Sequence, residues 1–491
     1  GNAYLFGPGR ASTPVTSGAM RTTPSCTQCT LDYVAKVDPA GSRLIYATYL
    51  AGRPMAADVD KSGSVYFAGT AKAGEISPTT GAYQATPGGN GDGFVAKLTK
   101  DGSALEYATF IGGADYDYTS DLLADSQGNV WANTVTWVNS QCCGNSTYRL
   151  VKLDGQGARI LVESNGGETP VAIDAHDNLW VSAWPPTTAL TATSDALLGK
   201  DCSRGMLAKL SPDWKLLFAT YPAYNVYGCD SGGAPLLNTA PGVGLLDLSA
   251  PPPPVIGCVV SSANWEGSYI APGQLVTLFG KSLGPVQGAV YTVGNNGRVA
   301  TTLAGTRVLF DGVAAPLLYA QAEQVNAIVP FVTPTYRLLK VAVEYQGQTV
   351  ATKSASLSDS GFALFTMDGT GKGQAAAFNE DGTLNSPTNP AKRGSIISLW
   401  GTGAGRTTPP SEDGVITGSD LPRFEPACWI GTTPAEVIYA GAAPGLVAGV
   451  AQVNIRVPSN YSDSSFPLSA VPIRITVNGD GGPSFATIAV K

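Results

Sequence analysis

Asp58-Val59-Asp60-Lys61-Ser62-Gly63-Ser64-Val65-Tyr66-Phe67-Ala68-Gly69 reads as two short strands hinged on a Ser-Gly turn. The Asp and Gly residues suit the turn, and the apolar and aromatic residues after it suit a packed strand. Downstream, Val95-Ala96-Lys97-Leu98 and Tyr107-Ala108-Thr109-Phe110 flank the turn Lys100-Asp101-Gly102, which is a second hairpin. The pattern recurs. Val34-Ala35-Lys36-Val37, Leu150-Val151-Lys152-Leu153 and Leu207-Ala208-Lys209-Leu210 repeat the first motif, giving spacings of 61, 55 and 57 residues. Tyr46-Ala47-Thr48-Tyr49 and Phe218-Ala219-Thr220-Tyr221 repeat the second, which in the third copy has decayed to Leu161-Val162-Glu163-Ser164. Relatives of the opening hairpin run from Leu123 to Trp131 and from Ile173 to Trp180. Four-stranded units at this period predict the blades of a β-propeller over residues 1–250.

Gly1-Asn2-Ala3-Tyr4-Leu5-Phe6-Gly7 aligns with Gly63 to Gly69, so the first blade lacks its innermost strand. Three solutions fit: return of the segment near Gly244-Leu245-Leu246-Asp247-Leu248 to close the ring, further blades upstream, or a strand from a neighbouring molecule.

A run of four prolines, Pro251–Pro254, marks a linker over 251–257. Beyond it a different repeat begins. Leu275-Val276-Thr277-Leu278-Phe279-Gly280 returns as Ile396-Ile397-Ser398-Leu399-Trp400-Gly401, and Gln324-Val325-Asn326 returns as Gln452-Val453-Asn454. Short alternating strands at regular spacing predict two immunoglobulin-like β-sandwiches, over 258–356 and 357–491. The fold class is therefore all-β throughout.

Two family resemblances rest on these residues. Residues 55–113 resemble the bacterial β-propeller repeat of large secreted proteins (the SBBP repeat). Residues 258–491 resemble the C-terminal domain of secreted proteins from Solibacter-like acidobacteria. The second likeness rests on Ala271-Pro272-Gly273-Gln274, Leu303-Ala304-Gly305-Thr306, Gly373-Gln374-Ala375-Ala376, Asn385-Ser386-Pro387 and Tyr439-Ala440-Gly441-Ala442-Ala443-Pro444-Gly445. It is similar to IPT/TIG-type sandwiches, which implies a spacer, adhesion or assembly role and no activity.

Composition narrows the function. Of 491 residues 43% are hydrophobic, enough for several cores, and only 14% are charged. The net charge is −7 and no basic run exists, which argues against a nucleic-acid partner. No apolar run approaches the ~20 residues of a membrane-spanning helix. The eight cysteines, Cys26, Cys29, Cys142, Cys143, Cys202, Cys229, Cys258 and Cys428, lie in loop-like surroundings that fit disulfides in an oxidising compartment. The pairings expected are Cys202–Cys229 and Cys258–Cys428, with Cys26, Cys29, Cys142 and Cys143 pairing locally or among themselves. Cys26-x-x-Cys29 alone lacks the further ligands of a zinc site.

Catalytic chemistry finds little support. The one histidine, His176, sits in a hairpin turn, no nucleophile elbow is present, and Gly369-Thr370-Gly371-Lys372-Gly373 lacks phosphate-loop spacing. Asp58, Asp60, Asp115, Asp117 and Asp121 are the carboxylates available for glycoside chemistry or calcium; Asp58 and Asp60 read as turn formers. Trp131, Trp137, Trp180 and Trp184 read as blade packing, with carbohydrate stacking on Trp137 or Trp184 as the alternative. Asp115, Asp117, Trp137 and Trp184 mark a possible ligand face on the loops. No cofactor, metal or catalytic residue is assigned. The expectation is a secreted, non-catalytic structural or adhesion protein that self-associates, including into a filament, or binds extracellular polysaccharide. A carbohydrate-binding propeller is the alternative, and a carboxylate-based glycan hydrolase or lyase is third.

Overall fold

The computed structural model describes residues 1–10, 12–24, 32–137, 146–183, 190–193, 196, 205–221, 226–229, 235–239, 242–245, 254–333, 337–419, 421–462, 465–479 and 485–491. Cys26, Cys29, Cys142, Cys143, Cys202, Trp184 and most of the proline run lie outside these residues. The chain divides into two compact units, Gly1–Gly199 with Arg204–Ala250, and a second whose bulk is Pro251–Lys491. Among the described residues every regular element is a strand.

The first unit holds five antiparallel sheets in chain order. They comprise β1 (Ala3–Gly7), β2 (Tyr33–Val37) and β3 (Leu44–Tyr49); β4 (Arg53–Val59), β5 (Val65–Ala71), β6 (Asp92–Leu98) and β7 (Leu105–Ile111); β8 (Tyr116–Ala124), β9 (Val130–Trp137), β10 (Ser146–Leu153) and β11 (Ile160–Ser164); β12 (Glu168–Ile173), β13 (Leu179–Ala183), β14 (Met206–Leu210) and β15 (Leu216–Thr220); and β16 (Val226–Cys229), β17 (Pro235–Thr239) and β18 (Gly242–Leu245). Each is a meander of neighbours. The first strands of successive sheets, β4, β8, β12 and β16, pack beside one another. That is a propeller-like arrangement of blades. Apolar side chains fill the spaces between blades, such as Phe67, Phe94 and Phe110 after the first blade's Val34 and Leu50.

A fifth sheet, β16–β18, follows the four repeats. Of the segment expected to close the ring, Gly244 and Leu245 belong to β18, which pairs with β17, and Leu246, Asp247 and Leu248 lie outside the described residues.

In the second unit, β19 (Val255–Ser261), β20 (Leu275–Lys281), β21 (Ala289–Val290), β22 (Thr306–Phe310), β23 (Val313–Ala314), β24 (Leu317–Ala320), β25 (Gln324–Ile328), β26 (Arg337–Tyr345) and β27 (Gln348–Leu357) form two sheets. The orders are β19-β20-β25-β24-β21 and β23-β22-β26-β27. They share a core in which Val276, Leu278 and Val325 meet Val308, Phe310, Val341 and Val343. Strand β19 begins at Val255, inside the expected linker, and β27 runs one residue past the expected domain end.

The last stretch departs further from expectation. It comprises β28 (Ala363–Leu364), β29 (Lys372–Gln374), β30 (Ala377–Asn379), β31 (Ile396–Thr402), β32 (Pro426–Ile430), β33 (Thr433–Ala442), β34 (Val450–Arg456), β35 (Val471–Val477) and β36 (Phe485–Ile488). These make one continuous sheet around a single core, with β29 parallel to β36. The cause is β33. Its first residues pair with β32 and, from Glu436 on, it pairs with β34, so one strand serves both layers.

The sequence repeat between the two parts is reproduced down to a bulge. Strand β24 slips register between Leu317 and Tyr319 against β25, and β33 slips between Val437 and Tyr439 against β34. Gln324 Nε2 donates to Asn326 Oδ1 and Gln452 Nε2 to Asn454 Oδ1, each at 2.9 Å. The parts are stitched together. Thr402 Oγ1 accepts the Leu275 N–H and donates to the Gly449 carbonyl, both at 2.8 Å, beside an apolar cluster of Leu275, Val299, Ile328 and Val447.

Candidate functional site

The polar positions that recur between the repeats hold the blades together. In the second blade Asp60 accepts the Ser64 N–H at 2.9 Å and the Tyr66 hydroxyl at 3.0 Å. Tyr66 lies opposite Lys97, whose ammonium sits 5.4 Å from the ring centroid. In the third and fourth blades tryptophan replaces the tyrosine and has no hydroxyl to offer. The lysine takes over: Lys152 Nζ meets Asp125 Oδ2 at 3.0 Å over Trp131, and Lys209 Nζ meets Asp174 Oδ2 at 2.7 Å over Trp180. In the second to fourth blades the lysine of the Val-Ala-Lys motif is thus part of an aspartate–aromatic–lysine trio that locks the hairpin turn to the next strand, while in the first blade Lys36 lies over Tyr4 and Tyr46. Trp131 and Trp180 are fully buried. His176 is an exposed residue of one such turn, its N–H donated to Asp174.

Other aspartates join blade to blade. Asp58 Oδ2 accepts the Ala124 N–H of the next blade at 2.8 Å, and burial raises its carboxyl above the usual range. A methyl at Gly112 would stand 2.7 Å from Asp92 Oδ2 and 2.8 Å from Asp117 Oδ2. Together these distances cap the oxygens' separation at roughly the 5–5.5 Å that retaining glycosidases use. Both carboxylates are nonetheless buried and engaged. Asp92 accepts from Gln84, Gly88 and Gly89, and Asp117 accepts from Gly113 and the Thr136 hydroxyl. Asp117 therefore belongs to the fold and does not present its carboxylate to a ligand. Among the described residues no group of three or more His, Cys, Asp or Glu side chains is placed to hold a metal ion.

Of the expected ligand face, Asp115 and Trp137 are exposed. Trp137 does not stand alone. Its ring lies 5.8 Å from Tyr116 and 5.9 Å from Tyr118, in tilted and edge-on contacts. Burial raises the Tyr118 phenol, opposed by a hydrogen bond from Trp137, with Tyr148, Tyr116 and Asp121 adding smaller upward pushes. Tyr118 and Tyr148 both lie opposite Val135, one on each side, and Tyr116 lies opposite Trp137. Paired residues of a sheet share a face, so these four aromatics cover one end of β8, β9 and β10. Trp137 is 51% exposed and Tyr148 47%. Tyr116, Tyr118 and Tyr148 were not singled out from the sequence; the signal available was the alternation Tyr116-Asp117-Tyr118.

Eight cysteines were expected to pair. Cys258 is disulfide-bonded, but not to Cys428, which is a free thiol. Cys428 sits in the apolar core opposite Ile475 and Ala435, where it serves as a small hydrophobic side chain, and burial pushes its thiol up to about 12. The expected Cys202–Cys229 pair involves Cys202, outside the described residues.

No protein-family model matches the chain, and no curated protein matches it. Solved structures do. It is similar to a surface glycan-binding protein of Prevotella bryantii, at 11% identity and TM-score 0.15, over 48% of this chain and 41% of that one. It is also similar to BamB of Moraxella catarrhalis, at 9% identity and TM-score 0.23, over 87% and 92%. A third is the quinohemoprotein alcohol dehydrogenase of Comamonas testosteroni, at 10% and 0.23, over 89% and 65%. The chain spans less than half the length of the first. At these TM-scores the fold assignment rests on the chain's own strand order.

Proposed function

We propose that this chain is a non-catalytic, secreted bacterial protein of the cell surface or its matrix, with a propeller-like unit that holds extracellular material and two immunoglobulin-like domains that serve as spacer or contact modules. One observation carries the reading. The carboxylates best placed for glycan chemistry, Asp58, Asp92 and Asp117, are occupied by N–H donors that fasten loop to loop and blade to blade. The resemblance of residues 55–113 to the SBBP repeat and of 258–491 to the acidobacterial C-terminal domain supports export, as does the low charge. The partner is either the chain itself or a polysaccharide, and the exposed aromatic cluster favours the polysaccharide.

The test is turnover. Incubated with a panel of soluble glycans, the native protein is expected to release no new reducing ends or unsaturated products, with or without Asp115→Asn. Turnover that Asp115→Asn abolishes would replace this reading with a hydrolase or lyase.

A further inference from the structure

The aromatic cluster of the third blade is not explained by the fold. Matching the blades through their strand registers places Tyr116, Tyr118, Trp137 and Tyr148 where the second blade has Ala51, Arg53, Lys72 and Gly93. At three of the same positions the fourth blade has Asn165, Gly167 and Gly205. Packing accepts small and charged residues at these sites. It therefore does not demand four aromatics, two of them half exposed, on the third.

We propose that Tyr116, Tyr118, Trp137 and Tyr148 form a stacking platform for a neutral polysaccharide. This rests on the extracellular binding role above and names its ligand. Three features point to that chemistry. First, the platform extends across three strands, about 10 Å, so it offers a strip and not a single slot. Second, aromatic faces carry partial negative charge and suit the C–H faces of pyranose rings, while phenol hydroxyls suit their equatorial hydroxyls. Trp137 is held by contacts on two sides, so little side-chain freedom is lost on binding. Third, the charge beside the platform is negative: Asp115 is exposed next to Tyr116, and Asp121 acts on Tyr118. The nearby Arg149 is paired with Glu163 at 2.8 Å. A polymer of uronic acids or sulfated sugars is repelled; an uncharged one is not.

The experiment is affinity electrophoresis of the whole native protein through gels containing a neutral β-glucan, xylan, mannan or galactan, with polygalacturonate and alginate as acidic counterparts. At least one neutral polymer is expected to retard the protein and the acidic ones are not. Trp137→Ala and Tyr148→Ala should each weaken retardation about tenfold or more while leaving the melting temperature unchanged, because both side chains are half in water. The proposal is overturned if no neutral polymer retards the protein, if the acidic polymers are preferred, or if both variants with intact melting bind as well as the parent. Cell-surface association that survives Trp137→Ala would leave the adhesion role standing and remove the platform. Breakdown of a retained polymer would remove the non-catalytic role and leave the platform.

Discussion

Lys152 shows how much one residue of the repeat carries. Its side chain is 6% exposed and that of Asp125 is 1%. Removing one partner of a buried ion pair leaves an uncompensated charge, so Lys152→Met should cost about 3–5 kcal/mol in denaturant unfolding. Glu106→Gln breaks the Lys97–Glu106 pair, whose glutamate is 48% exposed, and should cost under about 1 kcal/mol. Equal costs would mean that the trio is not what fastens the turns. The same trio sets a pH dependence. Burial alone would raise the Asp174 carboxyl, but Lys209, Asn178 and backbone N–H donors more than offset it and hold it low. Its folded pKa is below its unfolded one, so the stability it contributes is present above about pH 4 and is lost as pH falls through the folded value. Asp174→Asn should flatten the acid limb of the stability curve; an unchanged limb would contradict this. At Cys428 the raised thiol and the core around it predict no reaction with a thiol-labelling reagent at pH 8 until the protein is unfolded. At this scale the sequence was only partly legible. Asp60 as a turn former could be read from its spacing to Gly63. That Asp117 is buried could not, because its donors, the Gly113 N–H and the Thr136 hydroxyl, come from a neighbouring loop and strand whose registers must be known first.

At the scale of elements, the blades are joined by a contact that has two solutions. Gly102 and Gly157 have positive φ and seat against Tyr46 and Tyr107 of the preceding blade, where a Cβ would lie 2.4 Å from the ring. In the fourth blade the position is Trp214, with φ 66°, and the preceding blade's tyrosine has become Val162. Trp214 fills that space and stacks on Trp131 at 5.4 Å. The decayed third copy of the Tyr-Ala-Thr motif is thus compensated from its neighbour. Gly157→Ala is expected to destabilise by about 2–4 kcal/mol through strain and overpacking. In a Tyr107→Val background that penalty should shrink by about 1 kcal/mol or more. A fully additive double-mutant cycle would contradict the contact. Strand existence was readable from the period-two pattern and the turn glycines, and the repeat beyond residue 258 was readable in Gln324-Val325-Asn326 and its copy. The partner exchange along β33 was not. Nothing in Thr433–Ala442 marks where one neighbour gives way to the other, since the switch depends on β32 and β34 arriving from distant sequence.

At the scale of the molecule, a propeller-like unit in which repeated aspartates, lysines and aromatics are spent on rigidity leaves the surface for recognition. The second unit spends its polar groups in the same way: buried Thr402 joins its two parts. Residue counts, repeats and charge were enough to expect an all-β chain. They were not enough to separate the fifth sheet, because Val226–Leu245 carries none of the repeat's motifs. The proposed function requires this chain to work outside the cell, attached to surface or matrix. The most direct measurement is fractionation of the cells that make it, with the chain followed by antibody and with protease added to intact cells. The chain is expected in the surface and matrix fractions and is expected to be cut on intact cells. A chain found in the cytoplasmic fraction, protected until lysis, would contradict it.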